Sequence, residues 1–288
     1  MVEIKSRFMK ALVAHGGAGP SKKVVELRDE ISSIANKGYE EEDAVDAVEK
    51  VITLLEKHPA FNAGMGSKLQ LDGKPRPEAG IMKDDLDMGS VIGLDGISNP
   101  ISVARLIMEE SDNNIISSPF STQFALSHGF EKKDLVVDER LESWLEMRDE
   151  IENRDYLERI REMKNIDGGT VGCVAIDDYG NMCAGTSTGG RNNQIEGRVG
   201  DSPLVGCGFY CDENVAVSTT GVGEDIMSSQ LAMRVSTNYD SDLKEALRKS
   251  INYLSNHTEG FAGIAAVSKN SEAAIEYNAE DMIYEIIK

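Results

Sequence analysis

The sequence predicts an α+β fold in which sheets pack face to face and helices cover them. In the second half, segments of small and β-branched residues come in adjacent pairs joined by turn chemistry, while helical periodicity is confined to stretches of its own. In the first half, a strand-like opening leads into two amphipathic helical patterns, and no internal repeat is visible. The chain has 288 residues, of which 40% are hydrophobic and 28% charged, so it can bury a substantial core and is not disordered by composition. At about 150 residues per domain the length allows two domains, but a single domain of mixed class can also fill it.

The elements follow in order. Residues 9–14 read as a strand, and His15-Gly16-Gly17-Ala18-Gly19-Pro20 as a Gly-rich turn after it. Helical patterns cover residues 22–36 and 40–55, the second with Ala44, Val45, Ala47, Val48, Val51 and Ile52 as its apolar face. Residues 58–76 read as loop. A short strand is expected at 90–94, and Asn99-Pro100 starts a helix running to about residue 110. Residues 131–166 are dense in Asp, Glu, Lys and Arg, with widely spaced Leu141, Trp144, Met147, Ile151, Leu157, Ile160 and Met163, which predicts an exposed helical excursion outside the core. From Asp167 the texture changes. "GGTVGCVAI" and "MCAGTST" are strands separated by the turn "DDYGN". Further strands are expected at 203–210, 215–220, 262–268 and 273–277, with helices at 224–235 and 242–255.

Charge narrows the function classes. Thirty Lys+Arg against 50 Asp+Glu give a net charge of −20, opposite to the basic footprint of a nucleic-acid binder and unsuited to an anionic membrane surface. The first ten residues lack the apolar stretch of a signal peptide, and no run reaches the ~18 apolar residues of a membrane span, so a cytoplasmic location is expected. Cys207 and Cys211 form a C-x3-C, but no nearby Cys/His pair completes a tetrahedral site. These two, with Cys173 and Cys183, read as core thiols, and no disulfide is expected in a reducing compartment.

Glycine is concentrated in polar loops: "HGGAG", "NAGMG", "DGGTVG", "STGGRNN", "RVGDSP" and "TTGVGED". Such clusters let backbone approach a ligand closely, and their number predicts a small-molecule site. "HGGAGPSKK" has neither the order G-x-x-x-x-G-K-[ST] nor G-x-G-x-x-G, which argues against a nucleotide. Gly185-Thr186-Ser187-Thr188-Gly189 satisfies G-x-S-x-G, with His257 later in the chain, so a serine esterase using Ser187 is an alternative. The segment after Ser187 is too polar and Gly-rich for the helix that a nucleophile elbow needs. Thr170 is the other candidate, at a strand start directly after Gly168-Gly169. A threonine hydroxyl needs a base; scission of the Gly169–Thr170 bond would create one on the same residue, an α-amine with pKa about 8.

The run "GGTVGCVAIDDYGNMCAGTSTGGRNNQIEGRVGDSPLVGCGFYCDENVAVSTTGVGED" at 168–225 resembles the plant-type L-asparaginase/isoaspartyl peptidase family of N-terminal nucleophile hydrolases, of threonine type. "HGGAG" at 15–19, "FNAGMG" at 61–66, "EAGIM" at 78–82 and "NPISVARLIME" at 99–109 extend the resemblance over most of the chain. It implies a four-layer αββα sandwich, a single domain over 1–288 that self-cleaves into 1–169 and 170–288. It implies hydrolysis of L-asparagine or β-aspartyl dipeptides through a Thr170 acyl-enzyme. On this resemblance Thr188 tunes the nucleophile, Thr220 and Gly221 form the oxyanion hole, and Arg198 and Asp201 hold the substrate α-carboxylate and α-amine, with Gly223 near the amine. Asn62 lies in a loop resembling the family's sodium-binding loop, so a structural Na+ near Phe61 and Ala63 is an expectation, no cofactor being required for the chemistry. The resemblance also implies a homodimer of two-fragment units and no nucleic-acid or membrane partner.

Part of this stands on physical grounds as well. An Arg and an Asp three residues apart in a tight loop present opposite charges to one zwitterion, and Arg offers a planar fork to a carboxylate. Two departures from the family pattern concern processing and substrate preference: Ile166-Asp167-Gly168-Gly169 before the nucleophile, and "IMKDD" where "MDG" is usual. Glycosylasparaginases share the nucleophile and "RVGDSP" but usually carry "STNG" where this chain has Thr188-Gly189-Gly190. A glycosylasparaginase-like amidase therefore remains an alternative, as does an inactive amino-acid-binding relative.

Overall fold

A computed structural model describes residues 8–19, 27–151 and 169–288. Its elements are β1 (Ala11–Gly19), α1 (Arg28–Tyr39), α2 (Ala44–Lys57), β2 (Glu78–Lys83), β3 (Met88–Ile92), α3 (Pro100–Glu110), β4 (Ile115–Ser117), α4 (Phe120–Ser127) and α5 (Asp138–Ile151). The second half contributes β5 (Val171–Ile176), β6 (Met182–Thr188), β7 (Phe209–Cys211), β8 (Val215–Gly221), α6 (Gly223–Ser229), α7 (Leu231–Asn238), α8 (Leu243–His257), β9 (Ala262–Ser268), β10 (Ala273–Tyr277) and β11 (Asp281–Ile287). One sheet has the order β11-β1-β5-β6-β2-β3-β4, antiparallel apart from the β3–β4 pair, and the other the order β10-β9-β8-β7.

The class is α+β, with the two sheets stacked. Strand alternation decides which side chains meet where. Cys173, Ala175 and Cys183 turn toward α1, α2 and α3, in one core with Val48, Ile52 and Ile101. Val174, Ile176 and Ala184 turn the other way, into a second core with Phe209, Ala216, Ala265 and Val267 of the opposite sheet. A third core lies between that opposite sheet and α6, α7 and α8, through Val217, Ile264, Leu231, Leu247 and Leu254. Helices therefore cover both outer faces of the stacked sheets. Of the apolar face expected on α2, Ala44, Ala47, Val48, Val51 and Ile52 are buried and Val45 only partly so, and Asp43 caps the helix by accepting from the Val45 and Asp46 N–H groups at 2.7 and 3.2 Å.

Several boundaries differ from the sequence reading for identifiable reasons. "HGGAG" continues β1 to Gly19 and is no terminal turn, because β11 pairs with it across a bulge between His15 and Gly17. β11 itself and β2 escaped the reading. Residues 203–206 turn before β7, so the strand there is shorter than 203–210. The helix expected at 224–235 is two helices, broken at Gln230, whose left-handed backbone (φ 49°, ψ 51°) redirects the chain. The expected excursion is not wholly exposed: Trp144 of α5 is 9% exposed and donates its Nε1–H to the Gln70 carbonyl at 2.8 Å. Its continuation over 152–168 lies outside the described residues. All four cysteines are free thiols, three of them buried and Cys207 partly so.

Candidate active site

Thr170 stands just before β5 and its side chain belongs to the side facing the opposite sheet. Its neighbour Gly172 shows why that side is tight: a Cβ there would come within 2.1 Å of Ser218 Oγ and 2.4 Å of His15 Nε2. The Thr170 hydroxyl donates to Thr188 Oγ1 at 3.2 Å and lies 3.3 Å from Ser202 Oγ. Thr188 Oγ1 also accepts from the Gly190 N–H at 3.1 Å. β6 delivers Thr188 to this side by alternation, since β5 and β6 pair Val171 with Ser187 and Gly172 with Thr186.

The same alternation sends Ser187 to the helical side. Its neighbour two residues back, Gly185, packs there against Val48, Ile52 and Ile101. Ser187 is fully buried, does not line the pocket, and is followed by no helix. His257 ends α8, stacked on Tyr253 and with Nδ1 2.7 Å from the Tyr253 carbonyl. The serine reading therefore lacks both its elbow and its base.

A small pocket opens over Thr170, with about 270 Å3 of empty space including its mouth. Its hydroxyl-bearing, charged and glycine-rich lining suits a small polar ligand. Asn62, Gly169, Thr170, Thr188, Arg198, Asp201 and Gly221 line it, together with Gly190, Arg191 and Gly200. Thr220 lies just behind, its Oγ1 accepting from the Ala18 N–H at 3.4 Å. Gly223 touches the charged pair: a Cβ there would come within 2.8 Å of both Arg198 Nη2 and Asp201 Oδ1. The site residues expected from sequence thus converge, Thr220 and Gly223 as a layer behind the lining and Phe61 and Ala63 as buried flanks of Asn62.

Asn62 is held on every side. Its Nδ2 donates to the Gly190 carbonyl at 2.8 Å, its Oδ1 accepts from the Lys68 N–H at 3.0 Å, and its own carbonyl accepts from the Gly189 N–H at 2.9 Å. The loop is braced from α5, where the Arg140 guanidinium donates to the carbonyls of Gly66 (2.8 Å) and Ala60 (3.0 Å). On the other flank Asn192 donates to Ser143 Oγ at 2.9 Å. Gly17 brings β1 onto Gly169, next to Thr170: its φ is +113°, and a Cβ would approach Gly169 Cα to 2.8 Å.

Arg198 and Asp201 lie in a loop held by Glu78, whose Oε2 accepts from the Gly200 N–H at 3.0 Å. Burial pushes the Glu78 carboxyl up to about 7, partly offset by that N–H and by Arg198. Burial likewise raises Asp201 to about 6 against the attraction of Arg198. Asp201 is 4% exposed and its Oδ2 has no hydrogen-bond partner among the described residues, so an acceptor is held at the pocket wall. The Arg198 guanidinium spans Glu224, with Nε to Oε1 and Nη2 to Oε2 both at 3.1 Å.

Glu78, Ser202, Glu224 and Arg191 were not singled out by sequence. Ser202 stands next to Asp201 and Glu78 opens the "EAGIM" run, so a signal existed for both; nothing in the linear order joins Glu224 or Arg191 to Arg198. His15 is also part of the site. It lies between the sheets, fully buried, with Nε2 2.8 Å from Ser218 Oγ. Burial pushes its pKa down to about 3, with the Thr170 backbone partly opposing. Such an imidazole is a poor proton acceptor near neutrality.

A hydroxyl in contact with two others, a glycine-lined pocket and a cation beside a buried carboxyl fit a hydrolase with a small polar substrate. The family follows from comparison. The family model described as Asparaginase matches residues 8–288, so the chain belongs to that family. It is 35% identical to the plant-type L-asparaginase of Pyrococcus furiosus, over 97% of each chain. It is 34% identical to the isoaspartyl peptidase/L-asparaginase of Rattus norvegicus, over 96% of this chain and 86% of that protein, and 36% identical to the protein of the same name from Bos taurus, over 94% and 91%.

Proposed function

We infer that the protein hydrolyses L-asparagine, β-aspartyl dipeptides or both, after cutting itself between Gly169 and Thr170. The observation that carries this reading is the Thr170 hydroxyl in hydrogen-bond contact with Thr188, 3.2 Å away, directly after two glycines and above a pocket walled by Arg198 and Asp201. The fold class is then that of the N-terminal nucleophile hydrolases, one αββα domain processed into 1–169 and 170–288.

The geometry supports a definite division of labour. Arg198 takes the substrate α-carboxylate, and Asp201, through its unpartnered Oδ2, takes the α-ammonium. The side-chain carbonyl then lies over Thr170. Proton transfer from the hydroxyl needs a base, and His15, with its pKa near 3, is unsuited. The α-amine freed at Thr170, with an ordinary pKa of about 8, is the better acceptor. Thr188 and Ser202 orient the hydroxyl. The oxyanion receives the Thr220 hydroxyl and the Gly221 backbone, ammonia or an amine leaves with the proton, and water releases aspartate from the Thr170 ester.

No cofactor enters these steps. Main-chain oxygens in the turn around Phe61 and Ala63 are the donor type that suits a hard cation, and Na+ there would act structurally, on the placing of Asn62. Arg140 already brings positive charge to two carbonyls of that turn. A homodimer of processed units acting in the cytoplasm completes the proposal.

Incubation of purified protein with L-asparagine and with a β-aspartyl dipeptide tests it. Aspartate release from at least one is expected, abolished by Thr170→Ala and retained in Ser187→Ala. Loss in Ser187→Ala with normal processing would return the reaction to the serine.

A further inference from the structure

Arg198, the proposed handle for the substrate carboxylate, already holds a carboxylate. Glu224 lies across its fork with both oxygens engaged, Nε–Oε1 and Nη2–Oε2 at 3.1 Å each. That is the two-point geometry by which a guanidinium receives any carboxylate. A substrate cannot take the fork while Glu224 fills it. The Arg198 side chain is 14% exposed, and its remaining nitrogen, Nη1, donates to Gln194 Oε1 at 3.2 Å.

A second cation sits beside this pair. Arg191, also on the pocket wall, donates from Nη1 to Glu224 Oε2 at 2.8 Å. One carboxylate thus serves two guanidinium groups. Glu224 is half-exposed, in the first turn of α6, so its side chain has room to swing on a fixed backbone. If it leaves Arg198 it keeps Arg191, and the displaced charge is not stranded. Burial alone would raise the Glu224 carboxyl, but the two arginines outweigh it and hold it below the usual range, so it is ionised at neutral pH.

We propose that Glu224 is an exchangeable stand-in for the substrate carboxylate, and that Arg191 is the residue that retains it while the substrate occupies Arg198. This rests on the reading of Arg198 as the carboxylate handle. Its consequence is selectivity. A ligand with an α-carboxylate replaces one ion pair by another. A ligand without one leaves Glu224 in place, across the wall it must pack against. Glu224 sets a threshold that only carboxylate-bearing ligands pass, and Arg191 sets its height: removing the Arg191 charge leaves Glu224 with Arg198 alone and makes exchange harder.

Calorimetric binding of L-aspartate, the proposed product, to the processed protein tests this without turnover. Glu224→Gln weakens the resident and leaves two guanidinium charges for the ligand, so it should bind L-aspartate about two- to tenfold more tightly. Arg191→Met should bind it more weakly by a similar factor. 3-Aminopropanol, which keeps an ammonium group and carries no carboxylate, should respond to neither substitution. The mass of the two fragments and the thermal midpoint check each variant's fold. Weaker or unchanged binding of L-aspartate by Glu224→Gln overturns the exchange, since Glu224 would then be orienting Arg198 or doing nothing for the ligand. Failure of the underlying reading looks different: the unsubstituted protein neither processes itself nor binds L-aspartate.

Discussion

The Arg198–Asp201 pair shows how a local motif is shaped by residues far away in sequence. Two features were legible: opposite charges three residues apart, and the glycine between them that shapes the loop. What was not legible is that Glu78, from β2, ties the Gly200 N–H. Nor does linear order show that Glu224, from α6, neutralises the fork. Arg198→Ala should lower kcat/KM for L-asparagine by about 10–100-fold, the worth of a charged two-point hydrogen bond, and by far less for 3-aminopropanamide, which lacks the α-carboxylate. Equal losses on both would remove Arg198 from carboxylate binding. Asp201 makes a prediction in pH. Its carboxyl, raised to about 6 by burial, must be ionised to receive an ammonium group. kcat/KM should therefore fall as pH drops through about 6, and a steady-state profile from pH 4.5 to 8 checks it. Thr220→Ala, removing the proposed oxyanion donor, should lower kcat by about 10²–10³-fold with a smaller change in KM.

Among the elements, β5, β6, β8 and β9 were readable because alternation of small and β-branched residues survives where both faces are buried. β1 was misjudged at its end because glycines that look like a turn in sequence can pair in a strand when a partner, here β11, approaches closely. β2 was missed because "EAGIM" is short and mixes Glu and Gly into a strand, and only its position between β3 and β6 makes it one. α5 was read as peripheral from its charge density. Yet Arg140, Trp144 and Ser143 each touch a loop that lines or flanks the pocket. Arg140→Ala should release the Ala60 and Gly66 carbonyls, at a cost of about 1–3 kcal/mol. Because Asn62 sits between those two residues, the same change should lower catalytic efficiency. Denaturant unfolding together with kinetics on L-asparagine measures both. An efficient enzyme of reduced stability would mean that α5 holds the fold and not the site.

Across the whole molecule, folding buries several acids, between the sheets and under the helices. Glu56, fully buried, accepts from the Ile101 N–H at 3.0 Å at the start of α3, and burial pushes its pKa up to about 8. Glu78 lies near 7 and Asp201 near 6 for the same first reason. An unfolded chain loses these protons near pH 4–4.5, whereas the folded chain keeps them until pH 6–8. The folded state therefore binds more protons across that interval, so stability should fall as pH rises from about 4.5 to about 8 and level off above. Thermal midpoints at pH 5 and 8.5 test the sign, and Glu56→Gln should narrow the gap between them. The charge of −20 was legible at once, yet nothing in the structure explains it. The proposed reaction requires a backbone cut that gives Thr170 its amine. Intact mass and N-terminal sequencing of fully active protein test for that cut. The account predicts two fragments, 1–169 and 170–288, the second beginning Thr-Val-Gly; active protein that consists only of the uncut chain would contradict it.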